Sequence, residues 1–162
     1  MKKFACIAAA AVATFSATAA QAESYVEVRG GIAGSSEATT ETIGLAAGFD
    51  VDVGSSAFIG TELTADTDAS FATPVYGLNL RVGTKMGEAG KLFATAGVAR
   101  LEASGAIVGP GYILVYSGWY TDVTAGVGYQ HKIGKSTRLS VQYQRYFDTQ
   151  YNRGTVGIGF EF

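Results

Sequence analysis

The sequence holds one cysteine, one histidine, one tryptophan and two prolines in 162 residues. The cysteine, Cys6, follows only Phe4 and Ala5 as apolar residues, too short a run for a lipid-attachment site. The rest of the chain has no thiol, which excludes disulfides, thiolate metal sites and a cysteine nucleophile there. Such a chain is suited to crossing an oxidising periplasm. Charge is sparse too: Asp, Glu, Lys and Arg make up 16%, against roughly 25% in an ordinary soluble domain. Net charge is −2, with no basic stripe to neutralise phosphates, so nucleic acid is not an expected partner. After residue 22 no apolar run approaches the roughly 18 residues of a membrane helix. A bilayer-spanning role would therefore require a closed barrel, in which every backbone polar group is paired.

What is present begins with an export leader. Lys2 and Lys3 precede an apolar, alanine-rich stretch, Phe4 to Ala20. Ala20-Gln21-Ala22 then gives the small-x-small pattern of a cleavage site, with Glu23 as the expected new N-terminus. The expected organisation is a signal peptide over 1–22 and one barrel domain over 23–162. Without Lys2 and Lys3 the net charge becomes −4.

The remainder divides into eight segments whose polarity alternates with period two, the pattern of strands with one apolar and one polar face. Ser24 to Gly34 sets Val26, Val28 and Ile32 against Tyr25, Glu27 and Arg29. Thr42 to Val53 sets Ile43, Leu45, Phe49 and Val51 against Gly44, Gly48, Asp50 and Asp52. Ala57 to Asp66 sets Ile59 and Leu63 against Gly60, Glu62 and Thr64, and Val75 to Lys85 sets Leu78, Leu80 and Val82 against Asn79, Arg81 and Gly83. Leu92 to Val98, Trp119 to Gln130, Leu139 to Phe147 and Thr155 to Phe162 continue the scheme. Most are near the ~9–11 residues that a tilted strand needs to cross a bilayer. Short turns (Gly54 to Ser56, Met86 to Gly90, Ile133 to Ser136) alternate with mostly longer loops (Ser35 to Glu41, Thr67 to Pro74, Glu102 to Gly118, Thr149 to Asn152). This asymmetry fits periplasmic turns and extracellular loops.

Alternation alone also fits a soluble lipocalin-like barrel with an apolar lumen. The aromatics decide for the membrane. On the apolar face Phe49, Tyr129, Phe160 and Phe162 fall near the turns, and Tyr76, Trp119 and Phe147 near the loops, forming two interfacial belts. The polar face is rich in glycine, as a narrow filled lumen requires. The last strand, Thr-Val-Gly-Ile-Gly-Phe-Glu-Phe, resembles the C-terminal signal that the outer-membrane assembly machinery recognises, carried here by Ile158, Phe160 and Phe162. Leader, strand count, length and terminal phenylalanine together resemble the small outer-membrane β-barrel domain family, the porin-like eight-stranded proteins related to opacity proteins and the OmpA barrel. The resemblance implies an all-β, up-and-down transmembrane barrel in the bacterial outer membrane. It implies no single function, because such barrels host adhesins, anchors, protective proteins and a few enzymes.

By parity Glu27, Arg29, Asp50, Glu62, Arg81 and Asp122 enter the lumen. Buried charges must pair, and an eight-stranded interior is just wide enough for side chains to fill it. Arg29 and Arg81 with Glu27, Asp50 and Glu62, helped by Gln142 and Gln144, are expected to form a plug; the other reading is a narrow path for small solutes or ions. Tyr25, Phe58 and Phe93 share the inward parity and close the lower mouth, unless a bulge turns them outward. Arg100 and Arg145 sit on the lipid-facing parity near the loops, placed either to bind lipopolysaccharide phosphates or to snorkel. The third loop reads as a hairpin around Gly109-Pro110-Gly111, with Ile107, Val108, Tyr112, Leu114 and Tyr116 available to a surface ligand or to lipopolysaccharide. His131 falls at the turn end facing outward, near Ser136 and Ser140 but without an acid to orient it, so neither catalysis nor any cofactor or metal is expected.

Overall fold

A computed structural model describes residues 22–35, 38–71, 73–109 and 112–162, excepting the side chains of 103–117. The expected leader, residues 1–21 and its cleavage site, lies outside the described residues. Eight strands follow in order: β1 (Ala22–Gly34), β2 (Thr39–Val53), β3 (Ala57–Asp68), β4 (Val75–Met86), β5 (Gly90–Gly109), β6 (Tyr112–Ile133), β7 (Thr137–Tyr146) and β8 (Asn152–Glu161). Each pairs antiparallel with its neighbour, and β1 pairs with β8, closing the barrel. At the seam Phe162 N–H donates to the Ser24 carbonyl at 3.0 Å. Closure leaves no unpaired edge over the common height of the strands, as a bilayer demands.

The three turns are each three residues long and open on a glycine in the left-handed region: Gly54 (φ 72°), Gly87 (φ 71°) and Gly134 (φ 74°). That conformation costs an L side chain about 1–2 kcal/mol, which explains glycine at all three. At the other end the ladders outrun the expected boundaries. β2 begins at Thr39 and β3 continues to Asp68, because Thr42 pairs with Asp68. The Asp68 carboxylate then gathers its loop, accepting from Ser70 at 2.9 Å and Thr73 at 3.0 Å. β5 and β6 stand tallest. Their mutual ladder runs to Gly109–Tyr112, whereas β4 leaves β5 at Leu101 and β7 leaves β6 at Thr124. The expected third hairpin is therefore present in the backbone; the side chains of Ile107, Val108, Tyr112, Leu114 and Tyr116 lie outside the described set.

Burial is inverted relative to a soluble domain. Val28, Leu80, Val127 and Ile158 stand 53%, 59%, 57% and 54% exposed on the outer wall, while Arg81 is 0% exposed. The soluble alternative, an apolar lumen, is thereby removed. Phe160, Phe162 and Tyr129 are exposed near the turns, and Trp119 and Phe147 near the loops. Tyr76 packs beside Trp119 with ring centroids 6.0 Å apart. These are the two belts expected at the two interfaces.

Candidate functional site

Every ladder is paired one residue to one, without a bulge. The parity read from the sequence therefore holds along each strand, and Tyr25, Phe58 and Phe93 all face inward, at most 4% exposed. Inward glycines make room for them. A β-carbon on Gly48 would lie 2.6 Å from the Tyr25 hydroxyl, and one on Gly83 2.7 Å from the Phe58 ring.

Five cations (Arg29, Arg81, Lys91, Arg138, Arg153) and six carboxylates (Glu27, Asp50, Glu62, Asp66, Asp122, Glu161) are buried in this lumen among the described residues. Near the turns Arg81 is the hub. It donates to the Tyr25 hydroxyl and to Gln130 Oε1 at 3.2 Å, and lies 3.6 Å from Glu62 Oε2 and 3.8 Å from Asp50 Oδ1. Its guanidinium lies 4.2 Å from the Phe93 ring centroid, a favourable cation–π geometry. The Tyr25 hydroxyl in turn donates to Glu62 Oε2 at 2.8 Å. Arg138 grips Glu27 Oε2 through Nη2 at 2.9 Å and Nε at 3.2 Å. Gln130 donates to Glu161 at 2.8 Å. Lys91 reaches Asp50 at 3.1 Å and also binds Glu23.

A second layer lies toward the loops and centres on Asp66. Arg29 holds it with two bonds, Nε to Oδ1 at 2.7 Å and Nη2 to Oδ2 at 2.5 Å, the fork geometry that makes Arg–carboxylate pairs strong. Arg153 binds the same carboxylate and donates to Gln144 Oε1 at 2.6 Å. Gln144 in turn donates to Asn79 Oδ1 at 3.0 Å. Arg29 Nη1, 3.7 Å from Glu62 Oε1, ties the two layers together.

The expected members Glu27, Arg29, Asp50, Glu62 and Arg81 thus come together, with Gln142 and Gln144. Asp122 does not join them and is a correction. It is inward and buried, but its carboxylate caps the β7–β8 loop. It accepts from the backbone N–H groups of Phe147, Asp148 and Thr149 at 2.9–3.0 Å and from the Thr149 hydroxyl at 2.6 Å. Asp66, Lys91, Arg138, Arg153 and Glu161 are lumen charges beyond those expected, although each shares the parity of inward residues recognised on its strand.

On the outer wall Arg100 is exposed, its guanidinium 5.2 Å from the Trp119 ring centroid. Arg145 donates to Asn152 Oδ1 at 2.9 Å, an oxygen that also accepts from Tyr143 at 2.6 Å. His131 faces out at the turn end with Nδ1 3.2 Å from the Tyr129 hydroxyl, whereas Ser140 is buried in the lumen. Above the Asp66 layer, between the strand ends, lies a cavity of about 330 Å³.

No family model matches the chain, and no curated protein matches it. Solved structures do. The attachment invasion locus protein Ail of Yersinia pestis superposes with a TM-score of 0.64 at 12% identity, over 88% of this chain and 99% of that one. The N-terminal β-barrel domain of Pseudomonas aeruginosa OprF gives 0.58 at 12% identity, over 88% and 100%. Neisserial surface protein A gives 0.58 at 12% identity, over 86% and 95%. At these identities the likeness is one of fold. The chain shares the eight-stranded, antiparallel transmembrane β-barrel fold of the OmpA and Ail type.

Proposed function

We propose that the chain is an integral outer-membrane protein with a structural or surface-interaction role and a lumen closed by paired charges. One observation carries this reading: each of the five buried cations is ion-paired with a buried carboxylate inside the wall, while aliphatic side chains line the outside. Opposite charges locked in bonded pairs fill the space that a conducting path needs. A narrow conducting path is the second reading. It is favoured by Asn79 Nδ2, Gln142 Nε2, Thr95 Oγ1 and Arg81 Nε, which are buried without a hydrogen-bond partner and suit a file of waters.

The outer wall supports the remaining parts of the proposal. Ile158, Phe160 and Phe162 all face outward and exposed, presenting the terminal signal to the assembly machinery. Arg100 beside Trp119, and Arg145 on the other flank of β6, are placed to meet lipopolysaccharide phosphates, with lipid below them. The tall β5–β6 hairpin is the candidate contact for a surface ligand. Ail has been solved with the heparin analogue sucrose octasulfate; here the connections 35–38, 69–74 and 147–151 carry Glu37 and Asp148 and neither lysine nor arginine, so a polysulfate is not the ligand we propose. A non-enzymatic role is supported by His131 and Ser140 lying on opposite sides of the wall.

Membrane fractionation with heat-modifiable gel mobility tests the proposal. Recovery in the outer membrane as a faster-migrating unboiled band is expected; a soluble periplasmic protein without that shift would overturn it. Lipopolysaccharide binding should fall in the Arg100→Ala, Arg145→Ala double variant, and no change would remove that contact.

A further inference from the structure

We propose that Arg100 and Arg145 act as one two-point clamp across β6, binding both phosphates of a single glycolipid, an acylated disaccharide bisphosphate of the lipid A class. The inference rests on the proposed contact of these arginines with lipopolysaccharide and deepens it: the ligand is one molecule bridged between strands, not two phosphates met separately.

The arginines divide by face. Arg29, Arg81, Arg138 and Arg153 lie in the lumen, and each holds a carboxylate. Arg100 and Arg145 share the outward parity, and neither is ion-paired among the described residues; Glu102, the next outward residue above Arg100, makes no ion pair with it. Each is held by a neutral neighbour instead. The Arg100 guanidinium lies 5.2 Å from the Trp119 ring centroid, and Trp119 packs beside Tyr76. Arg145 donates to Asn152 Oδ1 at 2.9 Å. Such contacts orient a guanidinium and leave its charge uncompensated, which suits forked binding of a phosphate.

The register sets their spacing. Arg100 pairs with Thr121 on β6, and Arg145 pairs with Ala125 on the same strand. Two strand spacings of ~4.8 Å across and an offset of four residues at ~3.3 Å along put their Cα atoms about 16 Å apart. Their heights nearly coincide. The register line from Ser24 passes Leu80, Ala96, Ala125 and Arg145 and returns to β1 at Gly34, ten residues nearer the loops. Register lines therefore climb by about 2.5 residues over two strands, and the four-residue offset leaves Arg145 only about 4 Å below Arg100. Side chains reaching toward each other over β6 would offer two cations at the spacing of a phosphorylated disaccharide. Below them Val98, Val127 and Val141 are 46%, 57% and 56% exposed, an apolar wall for acyl chains. Once one phosphate is held, capture of the other is intramolecular, which raises affinity beyond that of either contact alone.

The test uses the full chain folded in a neutral detergent, its fold checked by heat-modifiable mobility. Native mass spectrometry compares lipid A carrying two phosphates with the same lipid lacking one of them. One bisphosphoryl lipid per barrel is expected, bound at least tenfold more tightly than the monophosphoryl lipid, because losing a charged hydrogen-bond partner typically costs about that factor. That comparison needs no variant. In Arg100→Ala and in Arg145→Ala the preference for two phosphates should vanish, and inorganic phosphate in excess should leave the lipid in place. Failure of both lipids to bind would overturn the arginine–phosphate contact and the clamp with it. Equal binding of the two lipids, a preference that survives either substitution, or displacement by inorganic phosphate would overturn the clamp alone.

Discussion

The two ends of the lumen obey one rule of alternation and reach opposite outcomes. Toward the turns, Tyr25, Phe58 and Phe93 surround the Arg81 guanidinium, and the cavity left at that rim is only about 60 Å³. Toward the loops the inward positions carry Ala33, Thr42 and Ala99, and a cavity of about 330 Å³ remains. Closure is set by side-chain volume and pairing, not by the strand number that both ends share. In the proposed reading the filled end supplies the seal, and the open end faces the loops.

The sharpest way to break this contrast is to remove the hub of the filled end. Arg81→Ala leaves Asp50 to Lys91 and Glu62 to Tyr25 and Arg29, and breaking its buried pairs should cost about 3–5 kcal/mol, read from urea unfolding in lipid vesicles. Its chain neighbour Leu80 points the other way, 59% exposed. Leu80→Arg puts a charge into lipid near mid-height and should cost about 2–4 kcal/mol in the same assay. Comparable losses from adjacent residues on opposite faces would establish the inverted wall; a neutral Leu80→Arg would break it. At the β6–β7 turn, Gly134 has φ 74° with open space around it, so Gly134→Ala should cost only about 1–2 kcal/mol of backbone strain. Smallest of all, Thr67→Val at the open end removes a hydroxyl that bonds nothing and should be nearly neutral. A large loss there would mean the loop ends of the strands are as tightly satisfied as the turn ends.

How far the sequence reveals this arrangement depends on the residue. Strand number, turns, facing and the two belts are local properties, so Val28, Leu80 and Phe160 announce their face through their neighbours. Asp66, Arg138 and Arg153 stand near strand ends, where alternation gives way to turn and loop composition, and the ladders run further than that composition suggests. Partnership is the least legible feature. Arg153 meets Asp66 from 87 residues away and Arg138 meets Glu27 from 111, contacts that cross the lumen and depend on relative strand height. Asp122 has the right parity, but its true partners are backbone amides of a neighbouring loop, which no side-chain pattern records.

The proposed function requires a lumen sealed by its own paired charges. Purified, folded protein reconstituted in a planar bilayer measures this directly. No conductance steps above the bare membrane are expected from the unaltered chain, and steps should appear once Arg81→Ala opens the lower layer. Steady conductance from the unaltered chain would contradict the seal.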